Sequence, residues 1–197
     1  LQTLADISGT EKIINAAIEF VDIAGLVKGA AKGEGLGNQF LANIRETSAI
    51  AHVVRCFEDP DVIHVDGKID PLSDISVVNT ELLLADLEMV EKVISNQEKK
   101  TKTNDKTEVE RLAVLIRIKE ALSSEIPVRH IDLSEQEQLL LNSYHFLTKK
   151  PVIYITNVNE NELETGNDYV NQVKEFAIKK GDNSLCVSAK IEEELSQ

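Results

Sequence analysis

Three short stretches hold the residue types that could handle a phosphorylated ligand. In "FVDIAGLVKGAAKGEGLGNQF", residues 20–40, Asp22 closes an apolar run and Gly25 follows three residues later. A carboxylate there can hold a Mg2+-bound water, and a glycine lets a backbone N–H approach a terminal phosphate with no Cβ in the way. In "YITNVNE", Asn157 leaves an apolar run directly and Glu160 sits three positions on. An amide and a carboxylate at that spacing can read the edge of a base. In "CVSAK", Ser188, Ala189 and Lys190 form a turn whose N–H groups can face the same edge. Each stretch has a plainer reading: a strand-end Asp with a turn Gly, a polar strand-to-helix loop, a simple turn. Their order favours the chemical one, because each lies at the C-terminal end of a strand-like run, where open α/β sheets bind ligands.

The elements that must position these residues are legible as apolar patterns. Runs rich in β-branched residues predict strands at Ile18–Ile23, Ile50–Arg55, Val152–Thr156 and Leu185–Ser188. Phe40, Leu41 and Ile44 predict a helix within Asn38–Thr47. Tyr169, Val170, Val173, Phe176 and Ala177 predict another over Asp168–Lys180, stopped by Gly181. Mostly apolar strands alternating with helices predict a parallel sheet covered on both faces, a doubly wound α/β domain. The middle differs in kind. Leu83, Leu87, Val90 and Ile94 recur at coiled-coil spacing, a polar break follows at Thr101–Asp105, and Val109, Leu112, Ile116 and Leu122 mark a second stripe. Two long helices around a short polar turn predict an antiparallel hairpin inserted in the α/β core. Beyond Pro127, Ser134 and Glu137 form the capping box of a further helix. The expected division is therefore 1–69 for the first part of the α/β domain, 70–147 for the insert and 148–197 for the second part.

Composition narrows the function classes. Of the 197 residues 42% are hydrophobic and 4% aromatic, with no Trp, and the net charge is −13. Such a chain can build a packed core but lacks the clustered positive charge of a general nucleic-acid binder. Cys56 and Cys186 match no zinc-ligand spacing and each falls in a strand-like run, which predicts buried thiols. With no signal peptide and no long apolar stretch, they suggest a reducing, cytosolic setting. The sequence starts at Leu1 without Met and ends at Gln197 in a helix-prone segment, so it reads as a fragment.

In guanine-nucleotide proteins the post-strand position of "NVNE" reads N-K-x-D, the Asp accepting from two guanine donors. Here Val158 replaces the Lys and Glu160 the Asp. "FVDIAGLVKGAAKGEGLGNQFLANIRETSAIAHVVRCFEDPDVIHV" followed by "NVNE" resembles the YchF family, the Obg-like ATPases among the translation-factor class of P-loop NTPases. The resemblance implies a G domain interrupted by the helical hairpin, with a TGS domain beyond Gln197. It implies Mg2+-dependent ATP hydrolysis with GTP used less well, and ribosome binding through the hairpin and TGS domain. Asp22 would then serve the metal through a water, with Gly25 at the γ-phosphate. Asn157, Val158 and Glu160 would hold adenine, and Ser188, Ala189 and Lys190 would close the base pocket. Leu26 stands where many GTPases have the Gln that orients the attacking water. The family's replacement, a flexible-loop histidine, matches His64, which on its own reads more readily as a structural histidine and only through the resemblance draws level as a catalytic one. Gly29, Gly33, Gly35 and Gly37 would let the loop reorder when phosphate is lost. The motif G-x-x-x-x-G-K-[ST] is absent from these residues, so nucleotide binding is expected of the parent protein rather than of the fragment. Lys92, Lys99, Lys100, Lys102 and Lys106 gather toward the hairpin tip and could meet ribosomal RNA, although Glu91, Glu98, Glu108 and Glu110 interleave with them. Two rivals stand beside this reading: an Obg-related GTPase, and a non-enzymatic module whose functional surface is the hairpin.

Overall fold

The computed structural model describes residues 2–10, 12–13, 16–23, 36–59, 68–101 and 105–196. Their helices are α1 (Gln2–Ser8), α2 (Leu36–Glu46), α3 (Pro71–Lys100), α4 (Lys106–Ser123), α5 (Glu135–Leu140), α6 (Asp168–Lys180) and α7 (Ala189–Leu195). The strands are β1 (Ile50–Arg55), β2 (Val152–Asn157) and β3 (Asn183–Val187). They form one parallel sheet in the order β1-β2-β3, with Arg55 level with Asn157 and Asn157 level with Val187. All three C-terminal strand ends therefore lie along one edge.

Helices α3 and α6 pack on the sheet, burying Val54, Cys56, Ile75, Val152, Tyr154, Val173 and Ala177 together. The expected cover on both faces is not found among the described residues: Val53 is 61% and Leu185 53% exposed on the opposite face. The reason is topological. Right-handed crossovers that advance in one direction put both connections on the same side, and the other face is covered only where the strand order reverses. The expected strand at Ile18–Ile23 is likewise corrected. The segment joins no ladder, and Ile18 and Phe20 are 82% and 83% exposed. A strand is a property of pairing, which a β-branched run supplies only when a neighbour is there to meet it.

The α6 segment forms as expected: Asn167 accepts from Val170 N at its start, and Gly181 ends it in the left-handed region at φ 75°. Ser134 and Glu137 complete their capping box ahead of α5. Helix α3 starts on Asp70, whose side chain accepts from Ser73 N, with Pro71 as its first residue. It then serves several neighbours. Ile75 enters the sheet core, Leu82 and Ala85 pack with Leu41 and Ile44 of α2, and Val90 meets α4 with Leu83, Leu87 and Ile94. Helix α4 runs back along it, with Gln97 bonded to Glu108 near the turn and Glu91 paired with Lys119 farther down. Its buried stripe is Val114, Leu115, Ile118 and Leu122, whereas Val109 and Ile116 are 48% and 41% exposed. Leu122 shares a face with Leu115 and Ile118 at helical spacing, so the expected stripe joined two adjacent faces.

Two polar contacts fix the junction between the helical segment and the sheet. Asp86 of α3 is fully buried and accepts from Leu147 N (2.9 Å), Thr148 N (2.8 Å) and Thr148 Oγ1 (2.7 Å). Lys150 donates its ammonium to the carbonyls of Arg45 and Thr47, where α2 ends.

Burial beside Tyr154 (ring centroids 5.7 Å apart) pushes His52 down to about 4, with Asp74 opposing the shift. A histidine whose folded pKa is depressed contributes stability above its unfolded value, near 6.5, and loses it as pH falls toward 4. The protein should therefore lose about 2 kcal/mol of stability over that window through His52. Urea unfolding at pH 7 and pH 4.5 checks this: His52→Gln should show a smaller drop than the parent, and equal drops would refute it.

Candidate functional site

Along the carboxyl edge the three strands hand over to three pieces of chain: the strip 56–59, the loop 158–163 and the turn 188–190. The edge ladder continues past the strands, with Cys56 N donating to Asn157 O (2.8 Å) and Val158 N to Val187 O (2.9 Å). Asn157 braces the third piece, its Oδ1 accepting from Ala189 N at 2.9 Å. Val158 is 3% exposed and belongs to the core under β2. Glu160 opens a 3-10 turn, Glu160–Glu162, which Asn159 caps. Its carboxylate meets Lys190 Nζ at 2.6 Å, which pushes the lysine's pKa up. Ser188 is 1% exposed, and its Oγ has no hydrogen-bond partner among the described residues.

These pieces enclose a cleft of about 480 Å³ lined by Phe57, Asp59, Asn157, Val158, Asn159, Glu160, Asn161 and Lys190. That size suits a small organic ligand, and an aromatic wall facing amide and charged groups can orient one. Sequence reasoning found Asn157, Val158, Glu160 and Lys190 but missed Phe57 and Asp59. Their position two and four residues past β1 was the available signal, since whatever follows a strand at this edge faces the ligand. Arg55 supports the Phe57 ring, with its guanidinium carbon 4.8 Å from the ring centroid and its Nε donating to Phe57 O at 3.1 Å. Cys56, directly between them, is wholly buried, and burial pushes its thiol up to about 12, so it is no thiolate at neutral pH.

Asp22 is exposed and is not among the cleft-lining residues. Gly25, Leu26, Gly29, Gly33, Gly35 and His64 lie outside the described residues, and Gly37 falls in the first turn of α2. A free carboxylate such as Asp22 can accept from a metal-bound water. Among the described residues no three acidic, histidine or cysteine side chains gather to hold a metal directly.

Comparison with known proteins assigns the parallel sheet and its helices to the P-loop GTPase-like α/β fold. The family described as 50S ribosome-binding GTPase matches residues 2–158. The chain is 50% identical to the ribosome-binding ATPase YchF of Haemophilus influenzae and covers 54% of that protein's length. It is 45% identical to the protein of the same name from Bacillus subtilis, with the same coverage. In both comparisons all of the present chain is aligned. The solved structure of the Schizosaccharomyces pombe YchF GTPase superposes with a TM-score of 0.81 at 36% identity, over 98% of this chain and 54% of that one. The chain belongs to the 50S ribosome-binding GTPase family, within its YchF group. It spans about half the length of the curated relatives it matches.

Proposed function

We propose that the chain is the core of a ribosome-associated ATPase of the Obg-like, YchF type, which binds and hydrolyses ATP, and GTP less well, as a nucleotide-dependent switch. The observation that carries this is the state of the N-x-x-E loop. Guanine recognition by N-K-x-D needs a free carboxylate at the fourth position and a lysine at the second. Here Glu160 is engaged by Lys190 at 2.6 Å, and the Val158 side chain is committed to the core. Asn157 keeps its two amide hydrogens for a base, since its Oδ1 is taken by Ala189 N. Phe57 offers a ring to stack on.

In this reading Asp22 would help to hold Mg2+ through a water, and the ion would supply charge neutralisation at the phosphates. Gly25 lies at the γ-phosphate, Leu26 replaces the water-positioning Gln, and His64 is the group recruited instead. Hydrolysis in the full-length protein is then positioning plus charge stabilisation, and slow. The helices 71–123 form an inserted coiled-coil hairpin, 70–147 with its return, which with the TGS domain meets the large ribosomal subunit and its RNA. Of the lysines gathered toward the tip, Lys92 is engaged by Glu88 and Lys106 by Glu110, so the tip carries less free positive charge than its lysine count suggests. A cytoplasmic location accords with ribosome binding; no helix among the described residues is long and apolar enough to cross a membrane. The 197 residues alone, lacking the phosphate-loop motif, should bind nucleotide weakly.

Competition of ATP and GTP for the full-length protein tests the reading. ATP should bind more tightly, and GTP binding at least about tenfold tighter than ATP would overturn it.

A further inference from the structure

The strip that leaves β1 has a two-sided construction. Extended backbone sends alternate side chains to opposite sides. Phe57 and Asp59 line the cleft, while Cys56 enters the core and Glu58 reaches toward α6. The hydrogen bonds made by Cys56 O, Glu58 O and Glu58 Oε1 run to the loop and helix that follow Asn157. Tyr169 donates its hydroxyl to Glu58 Oε1 at 3.0 Å, and Asn159 Nδ2 donates to Glu58 O at 3.3 Å. Asn167 Nδ2 donates to Cys56 O at 2.7 Å and to Glu162 Oε1 at 3.0 Å. Glu162 in turn accepts from Asn159 N at 3.3 Å. The two walls of the cleft are thus stitched together by residues more than 100 positions apart in sequence.

Resting on the functional reading above, we infer that Tyr169 is a positioning residue for the nucleobase: by holding Glu58 it presents Phe57 to the cleft at the distance a base needs. Tyr169 touches no ligand itself. Its ring packs against the core with Val170 and Phe176, so α6 fixes where the hydroxyl sits. The hydroxyl then fixes Glu58, and the backbone carries that constraint one residue back to the aromatic ring. Arg55 restrains the same strip from the cleft side through the carbonyls of Phe57 and Asp59, at 3.1 and 3.4 Å. A strip held on both sides loses little further freedom when a ligand arrives, which is how pre-organisation raises affinity.

The test is a double-mutant cycle on ATP affinity, measured by titration calorimetry on the full-length protein. Tyr169→Phe deletes one hydroxyl from a half-exposed side chain, and its thermal midpoint is measured alongside. ATP binding should weaken about three- to tenfold, the cost of ordering on binding a side chain no longer held beforehand, with the midpoint little changed. In a Phe57→Ala background the same change should cost less than about 1.5-fold, because the ring through which Tyr169 acts is gone. Equal losses in both backgrounds would show that Tyr169 does not act through Phe57, and an unchanged affinity in Tyr169→Phe would overturn the inference outright. A parent protein that binds neither ATP nor GTP would overturn the functional reading and this inference with it.

Discussion

Replacing Asp86 by alanine should lower the unfolding free energy by about 3–4 kcal/mol, the largest stability loss expected for a single side chain here. The carboxylate lies wholly out of water, and both its oxygens are used by Leu147 and Thr148. Burial pushes its pKa up, and the three hydrogen bonds pull it back down without cancelling that effect. Alanine removes the buried charge but strands two backbone N–H groups and a hydroxyl. Asparagine does not repair the loss, because its amide can present one acceptor oxygen where two are needed and turns an NH2 toward a donor. The damage spreads along a connected set. Thr148 Oγ1 also accepts from Val128 N, and Arg129 N donates to Thr148 O. Arg129 makes a two-pronged pair with Asp182, at 3.2 and 3.1 Å, where β3 begins. Denaturant unfolding of Asp86→Ala and Asp86→Asn checks the claim, and a loss under about 1 kcal/mol in both would contradict it.

The second large effect concerns the ligand. Asn157→Ala in the full-length protein should weaken ATP about tenfold to a hundredfold while costing only about 1 kcal/mol of stability. Truncation removes the amide that would meet the base, and it also frees Ala189 N, so the 188–190 turn loses its brace. Asn157→Asp separates the two contributions. The aspartate still accepts from Ala189 N but brings no donors to the base, so a comparable loss of affinity in Asp and Ala variants assigns the effect to the amide hydrogens. Recovery in the Asp variant assigns it to the turn. Calorimetric titration with ATP reads both, and affinity within about twofold of the parent in Asn157→Ala would remove this residue from the site.

What could be read in the sequence was local and periodic. The Ser134–Glu137 box, the Asp168–Lys180 helix with its Gly181 stop, and the strand ends bearing Asn157 and Ser188 are all set within a few residues, by propensity and capping. Because parallel strands share one carboxyl edge, knowing where β2 and β3 end was enough to bring Asn157, Glu160 and Lys190 together. What stayed hidden depends on distant partners. Asp86 looks like any surface carboxylate on an amphipathic helix, since the donors that justify its burial come from 61 and 62 residues away. Ile18–Ile23 has strand composition, yet pairing is not a local property. Phe57 carries no motif, and only the path of the strip after β1 turns it into a wall of the cleft.

The central claim is that the cleft at the sheet edge receives the base of ATP. Photolabelling of the full-length protein with 8-azido-ATP, followed by peptide mapping, tests it most directly. The account predicts label on residues 57–59, 157–161 or 188–190, suppressed by excess ATP. ATP-protected label confined to other segments would contradict it.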